Sequence, residues 1–272
     1  MDNRLVPYTA NGGTRLFWAD SGAGPAVLLI HGLGYTHDMW YRTVPALSPR
    51  YRVIRFDNRG VGRSDVPPGA YRVSDMAQDA AAVLDAAGAD AAHVVGVSLG
   101  GAIAQELALR QPSRVCGLVL VATLCGGPRM VQAEPEVGVT LLARAEMPAE
   151  QGIRVMNPYV YHLGTSDERI EEDLAIRLRT YPSAQGYRGQ LQAVLSWSSY
   201  DRLPEITAPT LVIHGESDRL IPPGNGRIIA ERIPGARLTL LPQASHILFT
   251  DQPEAAHGAV LGFLDELCQS GR

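Results

Sequence analysis

Apolar residues in this chain follow two patterns that alternate along its length. Short and mostly apolar runs occur at Ala26-Val27-Leu28-Leu29-Ile30, His93–Val97 and Val115–Val121. They lack the polar alternation of a half-exposed strand and suit strands buried on both faces. Between them, apolar positions recur at helical spacing. Ser74–Ala87 carries Met76, Val83 and Leu84, with Ser74 as the expected N-cap and Gly88 as the stop. A second helix is expected over Leu99–Arg110, directly after the His93–Val97 strand. Arg52–Phe56, Thr210–Ile213 and Arg237–Leu241 read as further strands, and residues 225–232 and 254–268 as further helices. Strand alternating with helix predicts an α/β fold, a mostly parallel central sheet with helices on both faces. The first segment differs. Arg4–Thr9 and Thr14–Asp20 alternate around Ala10-Asn11-Gly12-Gly13, which is a hairpin pattern.

The rhythm breaks after Thr123. From Leu124 to Tyr200 the chain is richer in charge, Met and Tyr, and no strand pattern is convincing. Ser166–Arg179 has helical periodicity. Its acidic start (Asp167, Glu168) and basic end (Arg177, Arg179) complement a helix dipole. Residues 1–123 and 201–272 are therefore expected to form one α/β core. Residues 124–200 are expected to form a helical cap inserted between core strands.

Composition narrows the function classes. A chain of 272 residues suits one such domain with an insertion. At 46% hydrophobic and 19% charged it is globular rather than disordered. The net charge of −4, with no stripe of Lys or Arg, argues against nucleic acid and anionic membranes as partners. Cys116, Cys125 and Cys268 are too few and too scattered for a disulfide framework and suit a reducing compartment. No apolar stretch follows Met1-Asp2-Asn3-Arg4, and the longest apolar stretch, residues 91–109, is interrupted by polar residues and a turn signal. A cytoplasmic protein is expected, acting on a small molecule as a monomer or homodimer. No His/Cys/Asp cluster has metal-ligand spacing, and no phosphate loop or dinucleotide fingerprint is present. Neither a metal nor an organic cofactor is expected.

The candidate chemistry centres on Gly96-Val97-Ser98-Leu99-Gly100, at the junction of an expected strand and an expected helix. A serine on that corner is pushed out of the chain path, and small neighbours two residues either side leave it room. The pentapeptide alone decides little, since chance gives about 0.15 such matches in a chain of this composition. A serine hydroxyl also needs a base, and the base needs an orienting group. His246 follows the strand Arg237–Leu241, and Asp218 follows Thr210–Ile213. Both lie just past strand C-termini, where open α/β sheets build their sites. Glu216 competes with Asp218, but the spacing from His214-Gly215 favours Asp218. The continuation Ala122-Thr123-Leu124-Cys125 offers no alternative carboxylate.

Together these residues resemble the α/β-hydrolase superfamily across nearly the whole chain. The resemblance rests on Leu28-Leu29-Ile30-His31-Gly32, Phe56-Asp57-Asn58-Arg59-Gly60-Val61-Gly62-Arg63-Ser64, the Gly96–Gly100 corner, His214-Gly215-Glu216-Ser217-Asp218 and Ser245-His246. The block from Asp57 to Ser64 is similar to that of small capped esterases, lactonases, carbon–carbon bond hydrolases and cofactor-free haloperoxidases. The resemblance implies a catalytic triad of Ser98, Asp218 and His246. It also implies an oxyanion hole from the backbone N–H groups of Leu33 and Leu99. Gly34, His37, Cys125 and Trp197 are candidate pocket residues. His31 and His214 are expected to brace loops, and Asp57 and Arg59 to form an ion pair or loop brace. The reaction implied is cleavage of a carboxylic ester or lactone of a small apolar molecule through an acyl-enzyme. Two alternatives remain. One is a carbon–carbon hydrolase using the same triad, with Arg129, Arg144, Arg154 or Arg188 holding a substrate carboxylate. The other is a ligand-sensing receptor with slow turnover.

Overall fold

The computed structural model describes residues 8–271. Its strands are β1 (Tyr8–Asn11), β2 (Thr14–Ser21), β3 (Ala26–Ile30), β4 (Arg52–Phe56), β5 (Ala92–Val97), β6 (Val115–Val121), β7 (Thr210–Gly215) and β8 (Arg237–Leu241). They form one sheet in the order β1-β2-β4-β3-β5-β6-β7-β8. The first two strands run antiparallel to their neighbours, and every pair from β4-β3 onward is parallel. Residues 4–7 of the expected hairpin lie outside the described residues.

Side-chain alternation divides the apolar runs between two cores. Leu28, Ile30, Val94, Leu118, Leu120 and Val212 face one side, where α2 (Val73–Ala86), α3 (Leu99–Arg110) and α9 (Gly224–Arg232) cover the sheet. Val27, Leu29, Val95, Val119, Val121 and Ile213 face the other, under α1 (Thr43–Leu47), α10 (Leu248–Asp251) and α11 (Pro253–Gln269). Burial on both faces is what an unbroken apolar strand requires. Each such side chain contributes about 1.5–3 kcal/mol relative to exposure.

One helix start departs from expectation. The helix begins at Val73, and Ser74 lies inside it. The N-cap position is Arg72, which makes no side-chain cap bond. Tyr71 and Val73 are 3% and 1% exposed. Burying them sets the entry of the chain, and that outweighs a cap worth about 1 kcal/mol. Gly88, at φ +64°, ends the helix as expected.

Between β6 and β7 the regular elements are helical. They include α4 (Pro135–Ala143), α5 (Ala149–Arg154), α6 (Asn157–Val160), α7 (Asp167–Arg179) and α8 (Ala184–Leu195). Ser166 caps α7 by accepting from the Arg169 amide. An isolated bridge between Gly126 and Ser198 brings the two ends of this segment together.

Candidate active site

The corner between β5 and α3 is a constrained turn. Ser98 has φ 57° and ψ −120°, outside the regions open to most L-residues. Two hydrogen bonds hold it. The Ser98 amide donates to Val121 O (2.9 Å), and the Thr123 hydroxyl donates to Ser98 O (2.6 Å). A Cβ at Gly96 would overlap the Gly100 carbonyl, and one at Gly100 would overlap the Ile30 carbonyl. Backbone atoms cannot step aside, so both positions require glycine. The turn after β3 presses on the same corner, since a Cβ at Gly32 would lie 3.0 Å from Ser98 Cβ.

His246 enters from the loop after β8. Its Nδ1–H donates to Asp218 Oδ2 (2.9 Å), which leaves the Nε2 lone pair free. Asp218 is 3% exposed. Its Oδ1 accepts from the Ile221 amide (2.8 Å). Oδ2 also accepts from His214 Nε2 (3.2 Å), whose proton is shared with Ile221 O (2.8 Å). Burial alone would raise the Asp218 pKa. The positive character of His246 and hydrogen bonds from His214 and His246 outweigh it and hold the carboxyl below its ordinary range. Glu216 lies exposed outside this network.

The histidine loop has its own support. Asp251 accepts from the amide of Ser245 (2.6 Å), the amide of His162 (3.3 Å) and the hydroxyl of Thr165 (2.5 Å). Burial still leaves its pKa raised. The Ile247 amide donates to Val160 O (2.9 Å), so the helical segment and the histidine loop share a backbone bond.

Ser98, His246, Leu33 and Leu99 all border one cavity of ≈ 320 Å³ between the sheet and the helical segment. Met130, Val137, Leu141, Met156 and Leu191 make much of its wall. The Leu99 amide is the first of a helix and has no intrahelical acceptor.

None of the four expected pocket residues, Gly34, His37, Cys125 and Trp197, is in that wall. The Gly34 amide is tied to Gln190 Oε1 (2.9 Å), on α8. His37 turns into the core, where its Nδ1 lies 2.8 Å from Asp57 Oδ1. Cys125 is 0% exposed in the sheet-side core, while its neighbours Leu124 and Gly126 reach the cavity. The Trp197 indole donates to the buried Glu106 carboxylate (2.9 Å). Of the two roles expected for Asp57 and Arg59, ion pair or loop brace, the structure shows bracing and no pairing between them. Arg59 makes a two-pronged bond to Asp79 (2.6 and 2.7 Å), while Asp57 accepts from the His37 and Arg63 amides. The brace around His31 is local: its Nδ1 accepts from the Gly32 amide (2.8 Å). His214 braces the acid itself, and Asp251 braces the histidine loop. Sequence spacing carried no signal for the Asp251 contacts.

Among the described residues, no three His, Cys, Asp or Glu are grouped to hold a metal ion, the three cysteines are unbonded, and no helix is long and apolar enough to cross a membrane.

A family model for the alpha/beta hydrolase fold matches residues 25–253. The chain belongs to the α/β-hydrolase fold family. Among relatives of this α/β hydrolase, a protein of Azorhizobium caulinodans provisionally named as a carbamate hydrolase is 33% identical over 97% of this chain and 100% of its own length. A poly(3-hydroxyalkanoate) depolymerase of Ectopseudomonas oleovorans is 34% identical over 88% of this chain and 84% of its own. The solved enol-lactonase of Burkholderia xenovorans superposes with a TM-score of 0.83 at 29% identity, covering 95% of this chain and 100% of that one. This α/β hydrolase is an enzyme of a hydrolytic family.

Proposed function

We propose that this enzyme cleaves a carboxylic ester or lactone of a small molecule through an acyl-enzyme on Ser98. The observation that carries the reading is the shared cavity wall. A serine on a constrained corner and a histidine already bonded to a buried carboxylate border one mostly apolar space of ≈ 320 Å³. That size and lining suit a small, largely apolar substrate. The names of two of the relatives, a poly(3-hydroxyalkanoate) depolymerase and an enol-lactonase, support an ester or lactone substrate.

In this reading His246 Nε2 takes the proton of Ser98 as its oxygen attacks the substrate carbonyl. Asp218 holds the imidazole in the Nδ1–H tautomer and stabilises the imidazolium. The amides of Leu33 and Leu99 receive the developing oxyanion. Being fixed beforehand, they need no reorganisation as charge appears. His246 then protonates the departing alcohol and next activates water, which releases the acyl group and restores Ser98. Residues 124–200 act as a cap that closes the cavity over the sheet and selects the substrate.

The test is turnover of p-nitrophenyl butyrate by wild type and Ser98→Ala, with circular dichroism to verify folding. The variant is expected to lose several orders of magnitude in kcat while keeping its helical signal. A folded variant with wild-type turnover contradicts the assignment.

A further inference from the structure

We propose that Arg144 forms an anion subsite inside the cavity, so that the ester or lactone cleaved also carries a carboxylate remote from its scissile bond. This rests on the hydrolytic reading above and narrows its substrate class.

Arg144 opens the short helical turn after α4 and is 5% exposed. It lies in the cavity wall together with Ser98 and His246. Its Nε is buried without any hydrogen-bond partner. Its guanidinium has no carboxylate partner among the described residues, and the side chain that bonds it is Tyr187. Its one close side-chain partner is the Tyr187 ring, whose centroid lies 4.9 Å from Cζ. The other arginines considered for this role are placed differently. Arg154 is exposed and pairs with Glu150 and Glu171. Arg188 pairs with Glu146, and Arg129 is exposed.

A buried guanidinium without a counter-ion is unusual, because lost hydration must be replaced by a partner. One tyrosine can match only part of the five N–H donors of a guanidinium, and Nε is left without an acceptor. The cavity wall holds no Asp or Glu that could serve. A second buried guanidinium, Arg177, lies with Cζ 4.9 Å from the Tyr35 ring but outside the cavity wall, under the influence of Asp173 and Tyr161. The unpartnered Nε of Arg144 is the donor left for a ligand in the cavity. A guanidinium edge matches a carboxylate through two parallel N–H···O bonds. Substrate hydrolysis at Ser98 adds one water across the acyl–oxygen bond and leaves the remote carboxylate unchanged. A straight-chain half-ester would thus leave as a dicarboxylate and an alcohol.

The test uses monomethyl esters of straight-chain dicarboxylic acids from succinate to suberate, each beside the methyl ester whose far end is a carboxamide. Acid release is followed in a pH-stat. Wild type is expected to favour the carboxylate partner by about 10- to 100-fold in kcat/KM at one chain length. In Arg144→Gln that ratio should fall to near unity, and Arg144→Lys should retain part of it. Equal rates for the paired esters in wild type at every length, or an unchanged ratio in Arg144→Gln, overturn the subsite while leaving the ester reading intact. If wild type cleaves none of these esters and no p-nitrophenyl butyrate, the ester reading fails. Calorimetric titration of wild type with adipate and adipamide then decides the subsite alone. Selective binding of adipate that Arg144→Gln loses supports it, and no binding overturns it. Should Arg144→Gln not fold, the wild-type carboxylate preference and its inhibition by adipate are the deciding readouts.

Discussion

At the scale of single residues, Asp218 has more partners than an orienting acid needs. It holds His246, accepts from His214 and bonds the Ile221 amide, all while nearly excluded from water. Each partner donates, so a neutral amide in its place would turn two N–H groups toward donors. Asp218→Asn is expected to lower kcat by about 10⁴ through the wrong imidazole tautomer. Glu216→Gln, on an exposed side chain, should leave kcat close to wild type. Esterase assays on the two variants check the ranking, and the reverse order would move the acid. The Ser, Asp and His positions were readable in the sequence because strand ends are readable and all three follow strand ends. The cavity wall was not. His37, in the loop after β3, and Trp197, in the helical segment, were candidates by position, yet each side chain meets a buried carboxylate in the protein. Which buried acid a polar side chain will meet depends on contacts 20 and 91 residues apart, which local pattern does not encode.

At the scale of elements, α8 joins the helical segment to the core. Gln190 accepts from the Gly34 amide (2.9 Å) and donates to Arg59 O (2.8 Å), so one side chain ties two core loops to α8. A second tie is Asp173 on α7, which accepts from the hydroxyls of Tyr41 (2.6 Å), Tyr161 (2.9 Å) and Thr250 (2.8 Å). Gln190→Ala leaves a buried donor and a buried acceptor unpaired. It should cost roughly 1–3 kcal/mol in urea unfolding and also slow turnover, because Gly34 adjoins the Leu33 amide. An unchanged unfolding midpoint would show that α8 does not depend on this bridge. Within residues 124–200 only Ser166–Arg179 was expected as a defined helix, and part of the α8 docking surface is glycine. Its buried face includes Gly186 and Gly189, and a Cβ at Gly186 would overlap the Gly60 carbonyl. A contact made through glycine backbone adds no apolar side chain to the pattern. By contrast α3, bordered by an apolar strand and packed with Ala and Leu, matched its expected limits of Leu99–Arg110.

For the whole molecule, the apolar strand runs made the mostly parallel sheet legible, while the strand order depended on crossovers that composition does not reveal. Stability should also carry the imprint of the site. Burial, followed by the charges of His246 and Arg177, pushes the His31 pKa down to about 3. The neutral ring is needed because Nδ1 accepts the Gly32 amide. In the unfolded chain His31 takes up a proton near pH 6.5, and in the folded protein it does not. Stability is therefore expected to fall as pH drops from about 6.5 toward 3, by at most about 1.4 kcal/mol per pH unit from this residue. His93 and His257, also lowered by burial, act in the same direction. Asp218, with its lowered pKa, contributes stability above the ordinary carboxylate range and loses it as pH falls through its folded value. Urea midpoints at pH 7 and 5 measure the slope, which His31→Asn should flatten; an equal slope in the variant contradicts the role of His31. The most direct test of the central claim is intact-mass and peptide analysis after treatment with a fluorophosphonate. One adduct, located on Ser98 and missing from Ser98→Ala, is the expected result. An adduct on another residue, or none on an active enzyme, contradicts the account.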